Sequence, residues 1–506
     1  VLTARICIIG SGMGGATLAE QLADASQDVL LVEAGKVDAP RPSSNGSANV
    51  CAESDGRPFG LPFTRSIELG GTSNWWHGGW GRLDRVDFEH RPWINASGWP
   101  IRYDDLAHYY SEVALQVGLY ASDLDQQEVE RRFPGRLNDI DFNRTVLKPK
   151  TLEIQRKPVR WKKIILNLAR ATRLRCLINA SALEVIVTPG GHVSELVVGL
   201  PVGTARVRAG IFVICAGALE TPRLLLNSRS TMPCGIGNTH DLVGRYLLDH
   251  PMGHYSKVRF NPPIKAQVYS DAPLGPSTRI RVGLRLACEQ QRACEIPNHY
   301  LWLRPSITST RVDDDVLLSF LATQSFTDVT SGQIKAMLTT PDILYRVLIY
   351  RLGLNATYHY GDLFFTTEQI PNRNSRVRLS HSEKDRHGYP IACIGWQLGD
   401  EDYRAFERYT RLLFSDALRS EQYAMVEQDP RNECLQTFRS SAHHLGTARM
   451  ARSPKEGVVD KNLRVFGTDN LFVCDGSVFP TAGGVNPAFT IMALSRRLGH
   501  HLLSSR

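Results

Sequence analysis

The chain has no run of about 18 apolar residues, the length a membrane-crossing helix needs, so no transmembrane segment is expected. It also has no run of five or more basic residues. Its 59 Lys and Arg against 51 Asp and Glu leave +8 over 506 residues, a mild surplus that marks no nucleic-acid footprint. The densest basic stretch, Lys148–Lys163, reads as a solvated face. Cysteine is sparse: ten are scattered without a C-x-x-C pair or zinc or haem spacing, so no metal site is expected. Cys7, Cys215 and Cys474 lie in apolar, strand-like runs, where inert buried thiols belong. A reducing, cytoplasmic setting fits, and no signal peptide is visible. Glycine (41) and proline (27) stand near average usage, which excludes collagen-like and low-complexity chains. Internal repeats are missing too. So are G-x-S-x-G, H-E-x-x-H and G-x-x-x-x-G-K, and with them common hydrolase, zinc-protease and P-loop chemistries.

What is present starts at once. Arg5–Ile9 is a short apolar run, followed by Gly10-x-Gly12-x-x-Gly15. Ala16–Ala25 carries Leu18 and Leu22 one helical turn apart, and a second apolar run, Val29–Val32, ends in Glu33. Strand, glycines, helix, strand and terminal acid in that order predict a dinucleotide site. Gly10 serves the tight turn, Gly12 lets backbone approach a pyrophosphate, and Gly15 allows close helix packing. The helix N-terminus offers N–H groups to phosphate. Glu33 is placed to accept from ribose hydroxyls. The fingerprint alone leaves NAD and FAD open.

Further on, Lys36–Phe63 reads as a Pro/Ser/Gly/Asn-rich loop, and Glu68–Gly79 sets four glycines around Trp75 and Trp76, as if backbone lay against a flat ring. A helix is expected over Asp104–Leu119, and strands over Ala182–Val187 and Arg208–Ile214. The last runs through Gly217 into a helix whose Pro222 suits a first-turn position. The middle, Met252–Gln436, mixes loops (Asn261–Pro276) with alternating strands (Arg376–Leu379, Ile391–Gln397) and one amphipathic helix, Asp342–Leu352. Then come His443-His-Leu-Gly-Thr447, a buried strand Asn470–Asp475, Asn486-Pro487, and a helix over Ala488–Leu502.

Six segments, in order, resemble the glucose–methanol–choline (GMC) family of FAD-dependent oxidoreductases. They are the opening βαβ unit, Gly70-Gly71, Gly217–Ser228, Gly244–Pro251, His443–Thr447 and Asn470–Thr490. Gly98–Tyr110 and Asn486-Pro487 look most like the branch of pyranose oxidases and sugar dehydrogenase flavoproteins.

The resemblance implies an α/β protein. A Rossmann-like FAD domain would be assembled from residues 1–90, 155–251 and 441–506, with a connecting cap at 91–154. An α+β substrate domain with an open, mostly antiparallel sheet would span 252–440. Gly10, Gly12, Gly15 and Glu33 would hold the ADP half of FAD. Val185, in the strand before Gly190, matches the position whose backbone meets adenine. Gly71, Thr72, Ser73 and Asn74 would line the isoalloxazine, and Ala216, Asp475 and Asn486 other parts of the flavin. Trp75 stands where fungal-type pyranose oxidases carry a flavin-linked His, so noncovalent FAD is expected; His77 is the displaced alternative. The implied reaction oxidises a secondary hydroxyl of a pyranose sugar or glycoside at carbon 2 or carbon 3. Electrons pass to oxygen or a quinone-type acceptor. His443 would be the base, with His444 the less favoured neighbour. Asn486 would orient the substrate oxygen and Gln369 would reach it from the second domain. The alternatives are a sugar dehydrogenase flavoprotein with a protein acceptor, and an oxidase of another alcohol such as a sterol.

Overall fold

The structure, a computed structural model, describes residues 1–38, 50–54, 59–120, 124–171, 173–306, 334–335, 338–339, 357–418, 422–425 and 434–504. The expected helix Asp342–Leu352 lies outside the described residues.

Ile6–Ile9 and Val29–Val32 are buried along their whole length, as strands covered on both faces must be. They form the middle of a seven-stranded sheet. Leu2–Ile9 pairs in parallel with Val29–Val32 and with Thr204–Ile214, and Val29–Val32 pairs with Arg175–Leu177. Leu471–Val473 adds in parallel to Thr204–Ile214. Ser181–Val187 and Val193–Gly199 complete the sheet as antiparallel strands. Helix Met13–Asp24 packs against helix Ala488–Ser504, joining the two ends of the described chain over one core.

The second core lies on an eight-stranded antiparallel sheet. Its longest members are Met252–Ile264, Tyr358–Thr366, Thr278–Leu286 and Leu147–Gln155, with Tyr300–Ser306 between. Helix Asp400–Leu412 covers it, setting Phe406 and Tyr409 against Phe365. A small third sheet pairs Arg376–Lys384 with Pro390–Trp396, and that strand in parallel with Val50–Ser54. Among the described residues no helix is long and apolar enough to cross a membrane, and no cluster of His, Cys, Asp and Glu is built to hold a metal.

Three local expectations are corrected. The stretch Lys36–Phe63 holds strand Val50–Ser54, whose partner lies more than 330 residues away and leaves no local signal. Asn261–Ile264 is the end of a strand, not a loop. Pro262 and Pro263, which donate no N–H, fall where the pairing shifts register between Arg259 and Ile264. Pro222 lies inside helix Gly217–Asn227 instead of at its first turn. The Ala218 carbonyl, which a residue other than proline at 222 would cap, accepts from the Thr447 hydroxyl at 2.9 Å. The sheets also cross the proposed segment limits. Gly79–Trp80, within 1–90, and Leu147–Gln155, within 91–154 but for its last residue, both belong to the eight-stranded sheet.

Candidate active site

A cavity of about 1820 Å³ opens between the carboxyl ends of the parallel strands and the eight-stranded sheet. Single-ligand pockets run about 300–1000 Å³, so it has room for a large cofactor and a second molecule. At the glycine turn, Gly10 has φ +102°, and a Cβ there would lie 2.4 Å from the Cys215 carbonyl oxygen. A Cβ on Gly15 would lie 2.0 Å from the Gly10 oxygen. Gly12, by contrast, meets nothing within 4 Å on that side, and as N-cap it offers helix Met13–Asp24 no side-chain cap. The first-turn N–H groups are thus presented to the cavity for an anion.

Glu33 is buried at the end of its strand. One carboxylate oxygen accepts from the Ser11 N–H (3.0 Å) and hydroxyl (2.5 Å), the other from the Gly35 N–H (2.7 Å). Burial raises its pKa, and those hydrogen bonds oppose the rise. Ser11 Oγ in turn accepts from the Gly70 N–H at 2.8 Å, tying the two glycine segments together. Asp475 joins the third: it accepts from the Gly217 N–H (2.8 Å), the Thr221 hydroxyl (2.7 Å) and the Ser477 N–H (2.8 Å). Burial raises its pKa as well.

The other part of the site is built around Asp249 and His250. The fully buried Asp249 carboxylate accepts from the His443 N–H (3.2 Å), the Ser441 hydroxyl (2.9 Å) and the Ser440 hydroxyl (2.6 Å), which fixes the turn carrying His443. His443 Nδ1 lies 3.1 Å from His250 Nδ1, and its Nε2 lies 3.2 Å from Asn486 Nδ2. Burial, then the charges of His250 and His444, hold His443 well below the usual 6.5, so it is a neutral imidazole at neutral pH. His444 turns elsewhere and stacks on Phe59 with ring centroids 4.8 Å apart. From the eight-stranded sheet, Tyr300, Trp302, Arg281 and Phe364 also line the cavity. Arg281 sits 3.6 Å from the Trp302 ring centre and is forked on Asp271.

The chain that carries this site has relatives among known proteins. Residues 371–495 fit the family model described as GMC oxidoreductase, and residues 5–235 the one described as FAD dependent oxidoreductase. The chain thus carries a GMC oxidoreductase C-terminal domain and an FAD-dependent oxidoreductase domain. It is 25% identical to the 6'''-hydroxyparomomycin C oxidase of Streptomyces lividus over 565 residues, covering 99% of this chain and 92% of that protein. It is 29% identical to the fructose dehydrogenase large subunit of Gluconobacter japonicus over 303 residues, 59% of this chain and 48% of that subunit. Its fold matches the crystal structure of pyridoxine 4-oxidase from Mesorbium loti with a TM-score of 0.62 at 18% identity, over 99% of this chain and 100% of that one. The chain is therefore an FAD-dependent oxidoreductase acting on CH–OH groups.

Most of the residues expected at the site come together. Gly10, Gly12, Glu33, Gly71, Thr72, Ser73, Ala216, His443, Asp475 and Asn486 all line the one cavity. Gly15 stands behind it, packed on Gly10. Three do not reach it. Asn74 turns back to donate to the Leu69 carbonyl at 2.8 Å. The Val185 N–H is taken by Ser228 Oγ at 2.9 Å, and it is Ser181 and Ala182, at the start of that strand, that line the cavity. Gln369 is buried: its oxygen accepts from the Asp249 N–H and the Trp396 indole, and its amide donates to the Gln397 carbonyl. It braces Asp249 and is not among the residues lining the cavity. His250, within Gly244–Pro251, is a site residue that the sequence does not announce. A histidine beside a buried Asp was the only signal available. His77 lines the cavity and is exposed to it.

Proposed function

We propose that the chain oxidises a secondary hydroxyl of a pyranose sugar or glycoside, at carbon 2 or carbon 3, to a ketone. The observation that carries this is the neutral His443 with its Nε2 3.2 Å from the Asn486 amide, at the wall of a cavity large enough for cofactor and sugar together. The names of the relatives, a fructose dehydrogenase and an aminoglycoside oxidase, support a sugar-type substrate. The face offered by Trp302, Tyr300 and Arg281 suits a ring with apolar C–H faces and a polar rim.

Bound FAD supplies the acceptor for the carbon's hydride at N5. Gly10, Gly12 and Gly15 shape the turn for its pyrophosphate, whose charge the helix N-terminus favours. Glu33 would accept from the ribose hydroxyls, Gly71, Thr72 and Ser73 would flank the ring, and Ala216 and Asp475 would hold the chain between ring and phosphates. His443 Nε2 removes the hydroxyl proton as the hydride leaves. Asn486 donates to the substrate oxygen and holds it against the base. We take FAD to be noncovalent, so acid precipitation should release it, and flavin left in the pellet would point to His77. The natural acceptor is oxygen or a quinone-type compound. Reduced enzyme should be reoxidised by a quinone at least as fast as by oxygen, and peroxide formation without quinone turnover would overturn that.

Two measurements test the reading. His443→Ala should keep FAD and fold yet slow flavin reduction roughly 10²–10⁴-fold, the usual contribution of a positioned base. Flavin reduction by glycosides deuterated singly at carbon 2, 3 or 6 should slow with label at 2 or 3. An isotope effect confined to carbon 6, the position number in the S. lividus oxidase's name, would replace our regiochemistry with that one.

A further inference from the structure

We propose that His250 is a positioning residue that sets the tautomer of His443, claiming its Nδ1 proton and leaving the Nε2 lone pair toward Asn486 and the cavity. The proposal deepens the reading of His443 as base and rests on it.

The hydrogen bonds decide the matter in sequence. A carbonyl oxygen only accepts, and Gly483 O lies 2.8 Å from His250 Nε2, so that nitrogen carries a hydrogen. Burial disfavours an imidazolium at His250, which leaves its Nδ1 bare. Two bare nitrogens do not bond across 3.1 Å, so His443 Nδ1 carries the hydrogen between the rings. His443 is neutral too, hence its Nε2 is bare, and there it accepts from Asn486 Nδ2 at 3.2 Å. The chain of decisions starts at one backbone oxygen, and that oxygen is held firmly. The Gly483 N–H donates to Glu368 Oε1 at 3.2 Å, and Glu368 is gripped by both arms of Arg91 at 2.7 and 2.5 Å. Gly483 has φ +66°, and a Cβ there would lie 2.3 Å from the Leu83 side chain, so the turn has little freedom.

The usual orienter of a catalytic His is a carboxylate or a carbonyl, which always accepts. An imidazole accepts only while unprotonated. The groups facing His250 pull in opposite senses: the Asp249 and Glu368 carboxylates favour its charge, while burial disfavours it. The neighbouring His443 is itself penalised by His250 and by His444, and His444 in turn faces Asp249 and Arg65. A second proton on the pair turns His250 Nδ1 into a donor, and the lone pair that does the chemistry is lost.

The tautomer can be read directly. FAD-loaded protein with ¹⁵N-labelled histidine, at neutral pH, should show His443 with a protonated Nδ1 and a bare Nε2, the signals being assigned by their loss in His443→Ala. His250→Phe keeps a ring but removes the acceptor. It should return His443 toward the Nε2–H form and slow flavin reduction by about 10–100-fold with KM little changed. His250→Asn, which can place an acceptor where Nδ1 stood, should restore most of the rate and the Nδ1–H form of His443, while the acid limb set by His443's own protonation remains. A wild-type His443 found as Nε2–H, or His250→Phe reducing flavin at the wild-type rate, would overturn the proposal. If His250→Phe does not fold, the wild-type spectrum decides alone. Should His443→Ala still reduce flavin, the base reading falls, while the spectrum still reports whether His250 sets the tautomer.

Discussion

His443 and His444 are adjacent in the chain and keep different company, one against Asn486 and the other against Phe59. That difference gives the residue-scale predictions a sign. A base works only unprotonated, and burial with two neighbouring imidazoles keeps His443 from protonating until solution is more acid than its ordinary 6.5. Flavin reduction followed by stopped flow should therefore stay level as pH falls through 6.5 and decline only below it. A half-maximal point at or above that value contradicts the assignment. Asn486→Ala removes one hydrogen bond to a neutral substrate, about 0.5–1.5 kcal/mol, so reduction should slow by up to roughly tenfold. His444→Ala, which leaves the His443–Asn486 contact in place, should cost less than His443→Ala in the same assay.

At the scale of elements, the motif around the base divides into two jobs. His443 belongs to the chemistry. Gly446 and Thr447 belong to the fold: a Cβ on Gly446 would lie 1.9 Å from the Tyr246 carbonyl oxygen, and Thr447 caps the carbonyl that Pro222 leaves open. Thr447→Val keeps the shape and strands that buried carbonyl, which should cost about 1–3 kcal/mol in urea unfolding with the flavin spectrum intact. Sequence alone showed the parallel strands well, because burial on both faces writes them as plain apolar runs such as Ile6–Ile9 and Val29–Val32. It also showed the glycine turn, whose geometry tolerates no other residue at Gly10 and Gly15. It missed Val50–Ser54, whose partner strand is remote, and misplaced Gln369, because a polar residue in a loop reads as reaching for ligand when it is holding up Asp249. Arg91 and Glu368, 277 residues apart, leave no local trace of their pairing.

On the scale of the whole molecule, the cavity is walled by segments from the two larger sheets and from both ends of the described chain. Cofactor and fold should therefore be linked by mass action. Stripping FAD should lower Tm, and adding it back should raise stability by about 2.7 kcal/mol at a hundredfold excess over Kd. A calorimetric Tm that ignores FAD concentration would contradict that linkage. The packing of helix Met13–Asp24 on helix Ala488–Ser504 has a further consequence, in time. Gln21 donates to the Arg496 carbonyl, 475 residues downstream, and Gly499 is bare so that Gln21 can pass; a Cβ there would lie 2.1 Å from its side-chain oxygen. At about 5–20 residues per second, a ribosome takes roughly 24–95 s to travel between those two points. For that whole interval the face of the first helix that meets the last one stays uncovered. Nascent chains arrested before residue 488 should be cut by protease within Met13–Asp24, and chains extended beyond 504 should resist.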